Sequence, residues 1–109
     1  MFDWANELSC AVTVCDLDGI VLYQNKKSEA TFASYGVMLG KSLKECHKPQ
    51  SWAIIQRLLS EEASNVYTIE KEGIKKLIYQ IPWYRDGQVA GLVELSLELP
   101  QEMPHYIRG

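Results

Sequence analysis

Long apolar runs and disulfide-type cysteine spacings are missing from this sequence, and each absence excludes a class of protein. No run of about 18 apolar residues occurs, so no transmembrane helix is expected. The N-terminus has no basic region ahead of an apolar one, so no signal peptide is expected. The three cysteines, Cys10, Cys15 and Cys46, are an odd number without a disulfide-framework spacing, which is typical of a reducing compartment. These features predict a cytoplasmic protein.

An excess of basic charge is also missing. The formal net charge is -3 at pH 7 and charges of both signs are interspersed, so neither nucleic acid nor an anionic membrane is an expected partner. No phosphate-binding glycine pattern occurs, and no Cys-x-x-Cys pair indicates a metal site. Cys46 and His47 are adjacent, where side chains usually point apart, so they do not indicate nucleophilic catalysis. We therefore expect neither an enzyme nor a metal centre.

What is present is the composition of one globular domain. The chain has 109 residues, of which 47% are apolar and 23% charged, enough for a single core. Two apolar, β-branched runs at residues 11–15 and 20–23 flank an Asp-Gly turn, which predicts a β-hairpin. Asn25 follows the hairpin and is placed to cap a helix that starts at Lys26.

Residues 1–10 have the pattern of a short amphipathic helix. Met1, Trp4, Ala5 and Leu8 fall on one helical face. A helix of about two turns is not stable alone, so this face must pack on the sheet of its own chain or on a second copy. Both possibilities remain open, and the second makes these four side chains the contact of a homodimer.

Helices are predicted in the middle of the chain and strands after it. The helix capped by Asn25 is expected to end at Gly36, a single helical turn to occupy residues 41–46, and a longer helix residues 51–62. The period then changes to two, which predicts strands at residues 66–70, 74–84 and 88–99 and leaves 100–109 as a tail.

The last predicted strand alternates between apolar and polar side chains. Glu94, Ser96 and Glu98 occupy the polar side, which is expected to be at least partly wet. The opposite, apolar side is expected to face the core, and it consists of Val89, Gly91, Val93, Leu95 and Leu97.

Residues 11–99 resemble a PAS domain, a sensory module of signalling proteins. The first hairpin and its Asn25 cap, the Gly-Lys-Ser-Leu turn at residues 40–43 and the hairpin at 79–91 carry this resemblance, and together their order and spacing are fairly specific. The turn at 46–51 and the tail are similar to a bacterial or archaeal subgroup with a Cys-His-Pro turn before the long helix. The resemblance implies an α+β fold in which a five-stranded antiparallel sheet has short helices and one longer helix on one face.

The resemblance also raises the question of a cofactor. Photoactive flavin-binding members carry a cysteine where this chain has Leu43, so flavin is not expected. Haem-binding members usually hold the iron by a histidine on or beside the long helix, and residues 51–62 contain none. His47 precedes that helix and leaves a haem-based redox or gas sensor as an alternative, whereas His105 is expected at the surface.

Our principal expectation is a sensor domain that binds a small, uncharged or weakly polar molecule in an apolar pocket and passes its occupancy on through dimer or flanking-helix contacts. Tyr67, Tyr79 and Gln80 are possible polar contacts to the ligand. A homodimerising interaction module without a ligand is the other alternative. The predicted pocket is lined by nine side chains, which would otherwise be simple core residues: Val14, Phe32, Met38, Leu43, Ile55, Leu59, Tyr67, Tyr79 and Val93.

Overall fold

The computed structural model describes residues 2–32, 37–45 and 48–109. Its strands form one antiparallel sheet in the order β2-β1-β5-β4-β3, which confirms the predicted α+β fold. No helix in these described ranges is long and apolar enough to cross a membrane. The elements are β1 (Ala11–Asp16), β2 (Val21–Gln24), α1 (Lys26–Thr31), a 3-10 turn (Leu43–Glu45), α2 (Pro49–Glu61), β3 (Asn65–Lys71), β4 (Ile74–Arg85) and β5 (Gln88–Glu98).

The predicted first hairpin is confirmed, and an aspartate closes its turn. Asp16 Oδ1 accepts hydrogen bonds of 2.9 Å from the backbone N–H groups of Asp18 and Ile20. Gly19 in this turn has φ +80. The side chain of Asp16 therefore supplies acceptors that the short turn itself lacks.

The three later strands form the predicted meander. β3 and β4 are joined by Glu72 and Gly73, with φ values of 53 and 79, and β4 and β5 by Asp86 and Gly87, with φ values of 52 and 80. Positive φ at both central residues is typical of a type I′ turn. The backbone twist of this turn matches the twist of the two strands that it joins. This local chemistry explains why the predicted strand limits lie within two residues of the observed ones.

The predicted helix over residues 1–10 is wrong for the described part of that segment. Residues 2–10 contain a turn at Asn6 and Glu7 and no helix. Asn25 Nδ2 donates to the backbone oxygens of Ala5 and Cys10 at 2.9 and 2.8 Å, and Lys26 N donates to the oxygen of Asn6 at 3.1 Å. Backbone groups that a helix would pair within itself are thus bound to the start of α1 instead.

The helical block agrees in order and differs in its limits. Asn25 caps α1 as predicted, with its Oδ1 accepting from Ser28 N at 2.9 Å, but α1 ends at Thr31. The predicted continuation over residues 33–36 lies outside the described residues. α2 begins at Pro49, in the first turn, where a missing N–H costs no helical hydrogen bond.

Both helices lie on one face of the sheet, which we call the helix-facing side. In β5, Leu92 belongs to the hydrophobic core between the sheet and the helices. The side of β5 that faces the core is therefore the opposite of the side that we expected. Val93 and Leu95 lie on the opposite side, which we call the far face, and Glu94 lies beneath the helices. The central cluster consists of Cys15, Val21, Met38, Leu43, Ile55, Leu58 and Leu92.

Candidate ligand-binding site

Five polar side chains form a row across all five strands on the helix-facing side. Gln24 is opposite Thr13, Thr13 opposite Glu94, Glu94 opposite Gln80, and Gln80 opposite Asn65. We call these residues the polar row. It runs perpendicular to the strands, so one polar group from every strand lies at the same level.

One half of the polar row is a hydrogen-bonded chain. Asn65 Nδ2 donates to Gln80 Oε1 at 2.9 Å, and Gln80 Nε2 donates to Glu94 Oε1 at 2.8 Å. Both groups of the Gln80 side chain, which is 6% exposed, are therefore paired. This pairing fixes the amide orientation and points one carboxylate oxygen of Glu94 at a neutral donor.

The other half of the polar row is tied to α1. Thr13 Oγ1 and Ser28 Oγ share a hydrogen bond of 2.6 Å, and Gln24 Nε2 donates to Ser28 Oγ at 3.1 Å. Gln24 Oε1 accepts from Met38 N at 3.1 Å. These three polar side chains are buried, and each has hydrogen-bond partners within the protein. This half of the polar row therefore stabilises the fold.

A cleft lies beside the first half, between α2 and the strands β3 and β4. It has a volume of about 310 Å³ and is lined by Ser51 and Ile54 from α2 and by Asn65, Tyr67 and Gln80 from the sheet. Ile54 and Tyr67 are 39% and 42% exposed, so the cleft opens to solvent. Its volume is at the lower end of the range for small-molecule sites.

A second, much smaller cavity continues from Gln80 toward the core. It encloses about 10 Å³, which is the space of a single water molecule. Glu94 and Thr13 of the polar row form part of its wall. Gln80 separates the cavity from the cleft, and the remaining wall consists of Cys15, Leu43, Ile55 and Leu92.

The electrostatics of this region hold its weak acids in the neutral form. Burial, with smaller contributions from the charges of Asp16 and Glu94, raises the pKa of the Cys15 thiol to about 11. Burial and the charge of Glu94 also raise the pKa of Tyr67. Both shifts disfavour the anionic forms of these two groups.

The structure separates the nine predicted pocket residues into three groups. Leu43, Ile55 and Tyr67 line the cleft or the cavity. Met38 lies in the central cluster, and Phe32 and Leu59 pack against it. A ligand contact by any of these six stays a prediction. The placement of the other three in the pocket is corrected, because they alternate with helix-facing residues and so lie on the far face: Val14, Tyr79 and Val93.

The polar row was missed apart from Gln80, which was expected as a polar contact. Thr13, Gln80 and Glu94 are each flanked by apolar residues in the sequence, which is a visible signal. That they meet at one level depends on the register of four strand pairs, which a single sequence does not contain.

The predicted dimer contact is only partly available to a second copy. Ala5 is 7% exposed and packs within its own chain, whereas Trp4 and Leu8 are 63% and 37% exposed. Ala5 is therefore removed from the predicted contact. Met1 lies outside the described residues, and dimerisation through Trp4 and Leu8 stays a prediction.

Solved structures show which known fold this sheet order and its helices resemble. The PAS domain of the histidine kinase ThkA aligns over 83% of this chain and 99% of its own, with a TM-score of 0.65 and 18% identity. The chain has the PAS fold. A sensory box sensor histidine kinase from Vibrio cholerae aligns over 86% of this PAS-fold chain and 85% of its own, with a TM-score of 0.62 and 18% identity.

A third PAS-fold structure carries haem. The Aer2 receptor from Vibrio cholerae, described as a dual PAS-haem oxygen sensor, aligns over 84% of this chain and 96% of its own, with a TM-score of 0.63 and 16% identity. No protein-family model matches the sequence, and no curated protein matches it. The likeness to these structures therefore concerns the fold.

The described part of the cleft offers haem few axial ligands. Haem iron takes an axial ligand such as histidine, methionine, a cysteine thiolate or tyrosine. Of the lining residues, Cys15 and Tyr67 are of these types, but Cys15 is 1% exposed and lines the smaller cavity, not the cleft. His105 lies in the exposed tail. The predicted ligand His47 lies outside the described residues, as does Cys46 of the predicted Cys-His-Pro turn.

Proposed function

We propose that this chain is the sensor domain of a signal-transduction protein and that it binds a small molecule non-covalently in the cleft between α2 and the polar row. The observation that carries the proposal is the meeting of an open, partly apolar cleft with an ordered amide at Gln80. Clefts of this kind bind ligands through apolar walls and a few fixed polar groups. The histidine-kinase and oxygen-sensor origins of similar structures support it.

The proposed signal travels along the polar row. A ligand that binds Gln80 changes the hydrogen bonds of the first half, including the bond from Gln80 to Glu94, and Thr13 lies directly opposite Glu94. Thr13 in turn contacts Ser28 of α1. Asn25, at the start of α1, donates hydrogen bonds to the backbone of the N-terminal segment. This segment then passes the occupancy of the cleft to a partner protein.

The test fills the cleft from its solvent side. Ser51→Trp places a large ring in the cleft, and Gln56→Trp places the same ring on an exposed position of α2 outside it. We expect a fragment library to shift the NMR signals of cleft residues in the wild type and in Gln56→Trp, but not in Ser51→Trp. A library that shifts no cleft signal, or that shifts them equally in Ser51→Trp, contradicts the proposal.

The far face favours a second candidate function, a homodimerising interaction module. Val14, Val93 and Ile81 are directly opposed on that face, and the adjacent Tyr79 is 37% exposed. Tyr79→Lys is then expected to convert a dimer to monomers in sedimentation velocity, while Tyr106→Lys in the exposed tail leaves it unchanged. A monomeric wild type, or a dimer that survives Tyr79→Lys, excludes this function for the far face.

A further inference from the structure

We propose that the ligand of this cleft is a small organic cation, a primary amine or a guanidine, and that Glu94, on the wall of the adjoining cavity, supplies the negative charge that attracts it. This inference rests on the proposed function, because it assigns a charge class to the ligand of the same site. It departs from the uncharged or weakly polar ligand that the sequence alone predicts.

The placement of Glu94 is the first step. Its carboxylate comes from the middle of a central strand, lies on the helix-facing side and is partly buried. Gln80 Nε2 donates to Oε1 and at the same time forms the border of the cleft. Glu94 lines the cavity and not the cleft, so its carboxylate lies next to the cleft across the Gln80 side chain, whose neutral amide brings no positive charge.

The charges around Glu94 are the second step. The cleft and the cavity together are lined by eleven residues, and Glu94 carries the one formal charge among them. None of the ion pairs in the described ranges 2–32, 37–45 and 48–109 includes Glu94. A partly buried carboxylate that takes part in no ion pair is stabilised when a cation binds nearby.

The electrostatic effect of Glu94 on its neighbours is the third step. Burial is the larger cause of the raised pKa of Tyr67, on the wall of the cleft, and of Cys15, on the wall of the cavity, and the charge of Glu94 contributes to both. The two contributions of Glu94 have the sign of a negative potential, which favours protons and other cations. The potential of Glu94 therefore extends into the space that a ligand would fill.

The walls select among cations. Ile54 and the ring of Tyr67 offer apolar surface, and an aromatic face also attracts an ammonium or guanidinium group. An organic cation uses both the walls and the carboxylate, whereas an inorganic ion uses only the latter. An anionic ligand would approach Glu94 with like charge and no compensating base from the lining residues.

The experiment compares three probes of one shape. These are 2-phenylethylamine, 2-phenylethanol and phenylacetate, which are a cation, a neutral molecule and an anion. Their binding is followed at millimolar concentration by NMR signals of cleft residues, in the wild type, in Glu94→Gln and in Glu98→Gln. Glu94→Gln keeps an oxygen that accepts from Gln80, and Glu98→Gln removes the same charge from β5 outside the cleft.

The expected result is binding of the amine to the wild type and to Glu98→Gln, at least about tenfold weaker binding to Glu94→Gln, and little binding of phenylacetate. Equal affinity of the alcohol and the amine, with no effect of Glu94→Gln, overturns the cation inference and leaves the proposed function intact. Tighter binding of phenylacetate than of the amine overturns it as well. If no probe shifts a cleft signal, this inference fails, and the Ser51→Trp comparison decides separately whether the proposed function fails too.

Discussion

The indole ring of Trp52 lies directly over Gly19. A side chain at position 19 would overlap the Trp52 ring, and the ammonium group of Lys44 lies 5.1 Å from the centre of the same ring. The turn of the first hairpin and the start of α2 thus touch through a residue that has no side chain. This contact closes the helical block over the β1–β2 end of the sheet.

Gly19→Ala is expected to destabilise the protein more than Gly73→Ala. Both glycines have a positive φ, +80 and +79, but nothing lies within 4 Å of a Cβ at position 73. Gly73→Ala should therefore lower the free energy of unfolding by about 1 kcal/mol, the cost of the left-handed backbone. Gly19→Ala adds overpacking against Trp52, worth about 1–3 kcal/mol more. Urea unfolding measures both, and equal losses would contradict the contact.

Asn25→Ala is expected to detach the N-terminal segment. The Asn25 side chain is fully buried and pairs with the backbone of Ala5, Cys10, Val12 and Ser28. Its loss leaves buried groups unpaired and should cost about 2–4 kcal/mol of unfolding free energy.

The measurement for Asn25→Ala is hydrogen exchange of residues 2–10, which should become faster than in the wild type. Asn6→Ala is the matched control, because Asn6 accepts from Lys26 through its backbone oxygen. Unchanged exchange in Asn25→Ala would show that other contacts hold the segment.

Gly91→Ala is expected to be among the most damaging substitutions in the sheet. A Cβ at position 91 would overlap the backbone oxygen of Cys15 and lie 2.6 Å from Trp83 Nε1. Strand backbone cannot move aside without breaking the β1–β5 ladder, so we expect a loss of several kcal/mol or no folding.

Trp83→Phe tests the same contact in a milder way. It removes the 2.9 Å hydrogen bond from Trp83 Nε1 to Cys15 O and should cost about 1 kcal/mol. A wild-type stability for Gly91→Ala in thermal unfolding would refute this packing.

The stability of the protein is expected to fall between pH 9 and pH 11 because of Cys15. Its pKa rises from the ordinary 9.0 to about 11 in the fold, so the unfolded chain loses the thiol proton first. The stabilisation is complete below pH 9 and is lost as the pH rises toward 11, by up to about 3 kcal/mol.

Cys15→Ala provides the comparison, because every other titratable residue is the same in both proteins. The variant should show a smaller decrease of unfolding free energy over this interval in urea titrations. A parallel decrease in wild type and variant would assign the pH dependence to other groups.

The parts of the fold that were predictable depend on neighbouring residues. The Asp-Gly and Glu-Gly turns set the limits of β3, β4 and β5, and Asn25 indicated the start of α1. The N-terminal helix was predicted wrongly because its backbone partners come from Asn25, about 20 residues away in the chain. A helical period is no guide where a distant side chain satisfies the backbone.

The candidate site was less predictable for a different reason. The side of β5 with Val93 and Leu95 is the more apolar one in the sequence, so it was assigned to the core. The helices in fact cover Leu92 and Glu94. The packing of α2 decides which side of β5 is buried, and the sequence of β5 alone does not contain this information.

The polar row also helps to fix the register of the strands in the sheet. A shift of β5 by one residue would bring Val93 or Leu95 beneath the helices and carry the Glu94 carboxylate to the far face. Gln80 would then lose its acceptor, and Thr13 would oppose a hydrocarbon side chain. Mispaired forms of this chain are thus penalised at the polar row, and two of its members, Asn65 and Gln80, also line the cleft. Substitutions of these two residues therefore alter the cleft and the accuracy of strand pairing together.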